Sequence, residues 1–420
     1  MVNSTEKSSR KGLGMDAISD PFRPLGREQA RCHRLRAIDA VLFCRMGPTL
    51  LADKCSIQSL APEELYSVGS VFYLNVPPIL IQEIAGDLKK KSKHGPQHEI
   101  GVLAKKLNCC VPEASINLHY VFLCEGELLG LPVPQDGQTV IGGGQRITAP
   151  DGKTLVFLDE HPDEATLRRW CNGEVTPEDE AFAEKLRSTT KKVNLEAMVQ
   201  SFQPSLKGLP RLKNLHDVAR SVDHHLATTD QFKSLCTAMD CLKLQESKRE
   251  EAARRWETLR PTSLRAFAPY TFSIYRAIHI FTVGMGCRVI GTRATNQLDL
   301  EYLFYLPFCH IFSSGDNFVI EMSRVLMRPG QLFVDADTLK GDMRAIARIR
   351  NARSESARSA LIDHYAKHPH GRFNNPLWRK ALKPWERDRN LSTLPPDVSK
   401  RLFEEARQDI AELKRRGLVQ

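Results

Sequence analysis

Four acidic residues stand at comparable positions in the sequence pattern, each at the end of a predicted strand or on a predicted helix beside one. Carboxylates held close together repel unless a proton or a cation lies between them. Because the carboxyl ends of parallel strands share one edge of a sheet, side chains from distant parts of the chain can meet there. Oxygen ligands of this kind suit Mg²⁺ or Mn²⁺ rather than Zn²⁺, and such a cation can polarise a phosphodiester and activate a bound water. The four residues are Asp53, Glu83, Asp299 and Asp316.

The segment Asn296–Phe318 holds two of these acids and is the most informative part of the sequence. Asp299 opens a predicted short amphipathic helix, which Pro307 ends, and Cys309–Phe312 is an apolar run typical of a buried strand. A helix of about nine residues is roughly 13 Å long, and a strand of five residues spans about 16 Å. If the two elements run antiparallel, Asp299 and Asp316 face each other across one edge of a sheet. The segment therefore predicts a divalent metal site.

Strand and helix patterns alternate where the apolar part of the chain begins. Thr49–Ala52 is a short apolar strand that delivers the first of the four acids, and Val71–Val76 is a second strand. Pro77-Pro78 then begins an apolar helix that carries the second acid, and Gln331–Val334 is a last strand. This alternation favours an α/β fold with a mostly parallel sheet flanked by helices.

The middle of the chain has a different pattern. Asp151-Gly152 predicts a β-hairpin turn, acidic helical segments follow, and Leu215–Leu244 is predicted as one long helix. With 420 residues, the chain is long enough for two or three domains, or for one domain with a large insertion. The predicted division is a flexible or helical lead at 1–45, the first part of the α/β domain at 46–131, an insertion of a hairpin and helices at 132–261, the second part of the domain at 262–345, and a basic helical region at 346–420.

The order of the four acids, the first of them directly after an opening strand, resembles a bacterial PIN-like nuclease domain that carries a large insertion. The most specific part of the resemblance is the strand that ends in Ser314-Gly315-Asp316, with glycine where the family often has asparagine. The resemblance covers about half of the chain. The matching segments are Leu50–Asp53, Pro77–Asp87 and Asn296–Phe318.

The resemblance implies both a fold and an activity. Domains of this family are nucleases, mostly ribonucleases, that depend on Mg²⁺ or Mn²⁺, and they have a parallel sheet flanked by helices with three or four clustered acids. It implies that Asp53 and Asp316 are the principal metal ligands, that Asp299 is a ligand or positions the metal-bound water, and that Glu83 completes the catalytic set. Water would be the nucleophile. By this analogy RNA is favoured over DNA as substrate, and the layout fits a toxin or defence effector.

The charge distribution points in the same direction as the resemblance. The net charge is +10, and residues 340–420 contain 19 Lys or Arg against 10 Asp or Glu. A basic region beside a carboxylate site suits a nucleic acid partner, although a solvated helical surface is the simpler interpretation of the charge alone. The candidate phosphate contacts are Lys89, Lys90, Lys91, Lys93 and Arg324.

Each acid also has an ordinary structural explanation. An Asp after a strand is usually a cap or turn former, an acid in the first turn of a helix stabilises it by a few tenths of a kcal/mol, and Asp87 rivals Glu83 for its role. A second hypothesis is therefore a catalytically degenerate PIN-like protein that binds nucleic acid or acts as a scaffold, and whose binding would survive EDTA. A third, less favoured hypothesis is a phosphatase that uses Asp335, since Asp335–Thr338 resembles the nucleophile loop of haloacid-dehalogenase-like phosphatases.

Cysteine usage and hydropathy predict a cytoplasmic protein. The 11 cysteines have no CxxC spacing and lie mostly in apolar runs, as free cysteines in a core do. The polar first residues show no signal peptide pattern. The most apolar stretch, Thr271–Ile290, contains Arg276, His279 and Arg288, which makes it a poor membrane span. We expect no membrane partner, and self-association into a homo-oligomer is left open.

Overall fold

The computed structural model describes residues 48–89, 95–110, 114–141, 145–148, 154–157, 162–202 and 211–352. Some of the predicted features lie outside these ranges: the lead at 1–45, most of the basic region at 346–420, the hairpin turn at Asp151-Gly152, and the candidate phosphate contacts Lys90, Lys91 and Lys93.

The described residues form an alternating series of short strands and longer helices. The strands are β1 (Thr49–Ala52), β2 (Tyr73–Val76), β3 (Ala114–Ile116), β4 (Gln145–Thr148), β5 (Thr154–Phe157), β6 (Ile311–Ser314) and β7 (Leu332–Asp335). The helices are α1 (Lys54–Ser59), α2 (Pro62–Val71), α3 (Pro78–Gly86), α4 (Pro96–Asn108), α5 (Tyr120–Leu128), α6 (Pro162–Cys171), α7 (Pro177–Lys192), α8 (Leu195–Phe202), α9 (Leu215–Thr228), α10 (Gln231–Cys241), α11 (Glu246–Leu259), α12 (Leu264–Phe267), α13 (Pro269–Gly286), α14 (Asn296–Leu303), α15 (Asn317–Leu326) and α16 (Ala336–Asn351). Short 3-10 turns lie at Asp87–Lys89 and Leu306–Phe308.

A five-stranded sheet forms the centre of the fold, in the order β3-β2-β1-β6-β7. All of its neighbouring strands run parallel, so the predicted α/β class with a parallel sheet flanked by helices is confirmed. β1 lies in the middle and pairs with β2 on one side and with β6 on the other. β4 and β5 form a separate antiparallel pair.

The three inner strands β1, β2 and β6 are buried along their whole length, as expected for a parallel sheet that is covered on both faces. Neighbouring residues of a strand point to opposite faces, and they belong here to two hydrophobic cores. Leu51 and Phe312 lie in the first core, and Leu50 and Ile311 lie in the second. These pairs are in register across β1 and β6. The two cores therefore enclose the apolar side chains of β1 and β6 on the two faces of the sheet. Polar groups lie at the ends of these strands instead.

Residues of the predicted insertion, 132–261, contribute to both cores. Trp170 of α6 and Ala183 of α7 lie in the second core, where α6 packs on α4 and α7 packs on α3. Val218 of α9 and Leu235 of α10 lie in the first core, where α9 packs on α13. The helices of this segment thus cover the sheet on both faces. The predicted domain boundaries themselves stay a prediction.

Some predicted element limits are wrong, each for an identifiable reason. The predicted single helix Leu215–Leu244 is two helices, α9 and α10, because Thr229 is extended and the side chain of Asp230 accepts a hydrogen bond from the amide of Lys233 to start α10. The predicted strand Val71–Val76 begins two residues later, since Val71 is the last residue of α2 and the amide of Phe72 still bonds to the carbonyl of Val68.

The predicted strand Cys309–Phe312 is likewise displaced and lies at Ile311–Ser314. The preceding helix ends at Leu303 rather than at Pro307, and Pro307 lies inside the 3-10 turn Leu306–Phe308. The residues around His310 fit a strand as well as a turn, so the sequence did not separate the turn from the strand.

The longest apolar helix is part of the first core. α13 carries buried residues along its whole length, Ile280 and Met285 among them. Across the described ranges, no helix is both long and apolar enough to cross a bilayer.

Candidate active site

The carboxyl ends of β1 and β6 lie side by side in the middle of the sheet. From β1 the strand order proceeds to β2 and β3 on one side, and β6 and β7 occupy the other side. The boundary between β1 and β6 is therefore the topological switch point, the place where open parallel sheets bind their ligands. Asp53 directly follows β1, and Asp316 follows β6 after Gly315.

Asp53 is fixed in position through both of its carboxylate oxygens. It is the N-cap of α1, and its Oδ1 accepts a hydrogen bond from the amide of Ser56 at 2.7 Å. Its Oδ2 accepts a hydrogen bond from the hydroxyl of Ser314 at 2.5 Å. Burial raises the pKa of Asp53, and the bonds from Ser314 and Ser56 oppose that shift. Asp53 therefore does cap a helix, which is the ordinary explanation of an acid after a strand. The same position also places a buried acid at the switch point.

Asp316 is the N-cap of α15 and is joined to Asp53 through a single hydroxyl. Its Oδ1 accepts hydrogen bonds from the amides of Phe318 at 2.8 Å and Val319 at 3.3 Å. Its own amide donates to the Oγ of Ser314 at 3.0 Å, and Ser314 Oγ donates in turn to Asp53. The Oδ2 of Asp316 is left for other contacts, and Nη1 of Arg293 lies 3.9 Å from it.

Glu83 lies in the middle of α3 and is held by an aromatic hydroxyl. Its Oε2 accepts a hydrogen bond from the hydroxyl of Tyr302 at 2.5 Å. Burial raises the pKa of Glu83, the hydrogen bond from Tyr302 and the charge of Lys54 lower it, and the charges of Asp53 and Asp87 raise it. Glu83 is thus close enough to Asp53 for their charges to interact.

Asp87, the rival of Glu83, has a different role. Nζ of Lys54 lies 2.7 Å from Oδ1 of Asp87 and also donates to the backbone oxygen of Glu83 at 2.9 Å. Both partners of this ion pair are buried. Removing one partner of a buried ion pair strongly destabilises a protein, because the remaining charge is then buried without compensation. Asp87 therefore neutralises Lys54 and fixes the carboxyl end of α3.

Asp299 lies in the first turn of α14, which packs against α15 and α3. Among the described residues its carboxyl group has no hydrogen-bond partner. The pKa of Asp299 is raised to about 7, mainly by burial and in addition by the charges of Glu83 and Asp316, while Arg293 lowers it. The charges of Asp299 and Asp316 therefore act on each other in the fold, and a metal ion shared by the two acids stays a prediction.

The four predicted acids form one electrostatic group at this edge. The negative charge of a neighbouring acid raises the pKa of Asp53, Glu83 and Asp299 in each case. In chemical type these oxygen donors fit a hard divalent cation. Within the described ranges, however, no three His, Cys, Asp or Glu side chains are grouped so that they could hold one metal ion.

Sequence reasoning missed four residues that position the acids. Ser314 joins Asp53 to Asp316, and the pattern of hydroxyl, glycine and acid after a strand could have indicated it. Tyr302 lies among apolar residues typical of a core and is buried there, and its hydroxyl donates to Glu83. Lys54 and Arg293 had no sequence signal, because their acidic partners become neighbours only in the folded chain.

The predicted phosphate contacts that the structure describes lie beside acids other than the four at the switch point. Lys89 is at the far end of α3, in a 3-10 turn, and its Nζ lies 3.9 Å from Oε2 of Glu180. Arg324 is in the last turn of α15 and pairs with Glu321. Contact of either residue with nucleic acid stays a prediction.

Asp335, the nucleophile of the phosphatase hypothesis, caps a helix. It is the N-cap of α16, and its two oxygens accept hydrogen bonds from the amide of Thr338 at 2.9 Å and from the hydroxyl of Thr338 at 2.6 Å. These bonds act against burial and lower the pKa of Asp335. It lies at the end of β7, the outer strand of the sheet.

Comparison of the chain with protein-family models, with curated proteins and with solved structures finds no match.

Proposed function

We propose that this chain is a PIN-like, metal-dependent nuclease that hydrolyses phosphodiester bonds through Mg²⁺ or Mn²⁺, with RNA favoured over DNA. The alternative is a catalytically degenerate protein of the same type that binds nucleic acid. The proposal rests on the residues at the switch point, and each of its parts can be tested separately.

The observation that carries the proposal is the link between Asp53 and Asp316. The Ser314 hydroxyl donates to one acid at 2.5 Å and accepts from the amide of the other at 3.0 Å, so the two carboxylates belong to one rigid unit. Glu83 and Asp299 add negative charge from the flanking helices. Buried acids that repel one another are unfavourable for stability, and sites with such perturbed groups are candidates for function.

The hydrogen bonds of the four acids suggest how they would divide the work. Asp53 and Asp316 would hold the cation, because Oδ2 of Asp316 makes no bond to the backbone and Asp53 is fixed beside it. Asp299 would orient the attacking water and accept its proton, since its carboxyl group has a pKa of about 7. Glu83, steadied by Tyr302, would complete the set. When bound, the cation would stabilise charge on the phosphodiester and lower the pKa of a bound water.

The test is cleavage of single-stranded RNA and single-stranded DNA by the purified full chain, with and without Mn²⁺. We expect cleavage of RNA that requires Mn²⁺ and stops in EDTA. The double variant Asp53→Asn/Asp316→Asn should lose roughly a hundredfold or more of the rate, because the negative charge that holds the cation is removed. A readout apart from activity is thermal unfolding: Mn²⁺ should raise the melting temperature of the wild type and not that of the double variant.

Two further variants separate the alternatives. Asp240→Asn changes an exposed acid on α10 that pairs with Arg249, so this variant should cleave at the wild-type rate. Asp335→Asn should also cleave RNA, whereas the phosphatase hypothesis requires it to be inactive. Equal cleavage by the wild type and by Asp53→Asn/Asp316→Asn, or no cleavage by the wild type with any substrate, would refute the nuclease proposal. Nucleic acid binding that persists in EDTA without cleavage would favour the degenerate alternative.

A further inference from the structure

A mostly exposed arginine lies beside the acidic edge, in the connection of residues 287–295 between α13 and α14. The backbone around Arg293 is fixed by Asn296, which is only 6% exposed. Nδ2 of Asn296 donates to the carbonyl of Gly291 at 2.9 Å, and the amide of Asn296 donates to the carbonyl of Arg293 at 2.9 Å. The fold therefore defines where Arg293 leaves the backbone, although its side chain is 69% exposed.

The guanidinium group of Arg293 lies near two of the four acids without a hydrogen bond to either. Its Nη1 is 3.9 Å from Oδ2 of Asp316, which is too long for a hydrogen bond and close enough for the two charges to interact. Its charge also lowers the pKa of Asp299. Among the described residues, none makes a hydrogen bond to this guanidinium group, so its five N–H donors are available to a ligand.

Two other cations of the molecule show what a structural role looks like. Arg276 forks onto Asp223, with Nε 2.5 Å from Oδ1 and Nη2 2.9 Å from Oδ2. Lys54, a second cation beside the acidic edge, is buried and donates to Asp87 at 2.7 Å and to a backbone carbonyl of α3 at 2.9 Å. Arg293 makes neither kind of close contact, so a structural ion pair does not account for its position.

A substrate of the proposed reaction would supply the acceptor that this guanidinium group lacks. A phosphodiester is negatively charged, and a cluster of acids repels it unless cations offset their charge. A metal ion would offset part of that charge, and an arginine with an open fork can bind two phosphate oxygens through parallel hydrogen bonds. Because Arg293 lies beside Oδ2 of Asp316, a phosphodiester that reaches this acid comes next to the guanidinium group.

We propose that Arg293 binds the phosphodiester that is to be cleaved, through the two non-bridging oxygens of its phosphate. This role rests on the proposed nuclease function and adds a substrate-binding residue to the acidic edge. The guanidinium group would hold the phosphate before the reaction and would offset the negative charge that develops on these oxygens when water attacks. Phosphate contacts carry no sequence information, so Arg293 would contribute affinity and rate without a preference for a base.

The first test is cleavage of single-stranded RNA in Mn²⁺ by full-length variants. Arg293→Gln should lower kcat/KM by roughly tenfold to a hundredfold, because a charge-assisted hydrogen bond to the substrate is lost. Arg293→Lys keeps the charge but not the fork and should recover only part of this loss. The control Arg254→Gln removes an exposed arginine of α11 and should cleave at the wild-type rate. Mn²⁺ should still raise the melting temperature of Arg293→Gln, since this variant keeps all four acids.

Binding of the same RNA gives a readout that does not depend on cleavage. Fluorescence anisotropy in Mn²⁺ over a range of salt concentrations measures it, with Asp299→Asn as the background in which cleavage is slowed. Adding Arg293→Gln should weaken binding and reduce the slope of log affinity against log salt concentration by about 1, the change expected for one lost phosphate contact. Adding Arg254→Gln instead should leave the slope unchanged.

The outcomes separate the phosphate contact from the nuclease proposal. If the wild type cleaves RNA and Arg293→Gln matches it in kcat/KM and in salt dependence, the phosphate contact is refuted and the nuclease proposal stands. Loss of the Mn²⁺-dependent rise in melting temperature in Arg293→Gln would also refute the contact, because Arg293 would then act by arranging the metal ligands. If the wild type binds RNA without cleaving it, a salt slope that depends on Arg293 would support the contact and refute the nuclease. Neither binding nor cleavage would refute both.

Discussion

At the scale of single residues, the acidic edge has more negative charge than its cations neutralise. Lys54 is bound to Asp87, and Arg293 lies 3.9 Å from Asp316 and is mostly exposed. The carboxyl group of Asp299 is left without a hydrogen bond among the described residues, and burial is the main reason why its pKa rises to about 7. Its protonation is therefore coupled to the folding of the protein.

The first prediction concerns the pH dependence of stability. The pKa of Asp299 is about 7 in the folded protein, against 3.8 for an ordinary aspartate. Between about pH 4 and pH 7 the unfolded chain has lost this proton while the folded protein keeps it, so the free energy of unfolding falls as pH rises through this window. Asp299→Asn removes the effect, and the variant should be more stable than the wild type at pH 8 by about 1–3 kcal/mol. Urea unfolding of both proteins at pH 5 and pH 8, without divalent metal, measures this difference in the free energy of unfolding.

The pKa of Glu301 is also raised, to about 8, so this residue should likewise make the free energy of unfolding fall as pH rises. Asp299→Asn will therefore reduce the pH dependence of stability only in part. The exposed Asp240→Asn is the matched control and should follow the wild type. Parallel stability curves for the wild type and Asp299→Asn would mean that the group ionises freely in the folded protein.

At the scale of elements, two adjacent serines of β6 have different roles, although nothing in the sequence separates them. Ser313 and Ser314 are both fully buried, and because successive side chains of a strand point to opposite faces, only one of them reaches the acids. Ser314 Oγ bonds to Asp53 and to the amide of Asp316, whereas Ser313 Oγ has no hydrogen-bond partner in the described part of the chain. Strand alternation thus decides which hydroxyl belongs to the site.

The second prediction is a matched pair of serine substitutions. Ser314→Ala leaves buried Asp53 without one of its donors and should lower the free energy of unfolding by about 1–3 kcal/mol. Ser313→Ala removes an unpaired hydroxyl and should be neutral or slightly stabilising. Chemical denaturation of both variants checks this. Equal destabilisation by the two changes would contradict the assigned orientation of the strand.

β6 also shows which features of the fold could be predicted from the sequence and which could not. The type and order of β1, β2, β6 and β7 and the positions of Asp53 and Asp316 after two of them were predictable, because apolar runs followed by acids indicate strand ends. The exact start of β6 was not, because the residues from Phe308 to Phe312, His310 included, fit a strand as well as a turn. The side-chain hydrogen bonds of Ser314, Tyr302 and Lys54 were not predictable either, because each joins residues that are far apart along the chain.

At the scale of the whole molecule, the two cores join the sheet to helices from the middle of the chain. Leu51 of β1 and Leu235 of α10 are both fully buried in the first core, although nearly two hundred positions separate them. The sequence pattern predicted the segment 132–261 as an insertion because its helices interrupt the α/β alternation. Periodicity within a segment does not reveal what that segment packs against, so its part in covering the sheet could be found only from the fold.

The last prediction is that the sheet and these helices unfold together. Leu235→Ala leaves a cavity in the first core and should lower the free energy of unfolding by about 2–5 kcal/mol. Leu51→Ala should do the same, and both should shift one common transition in calorimetry, because the two side chains belong to one packed cluster. The exposed Lys233→Ala on the same helix as Leu235 is the control and should leave the transition in place. An independently folded insertion would instead give two transitions, with Leu235→Ala moving one of them and Leu51→Ala the other.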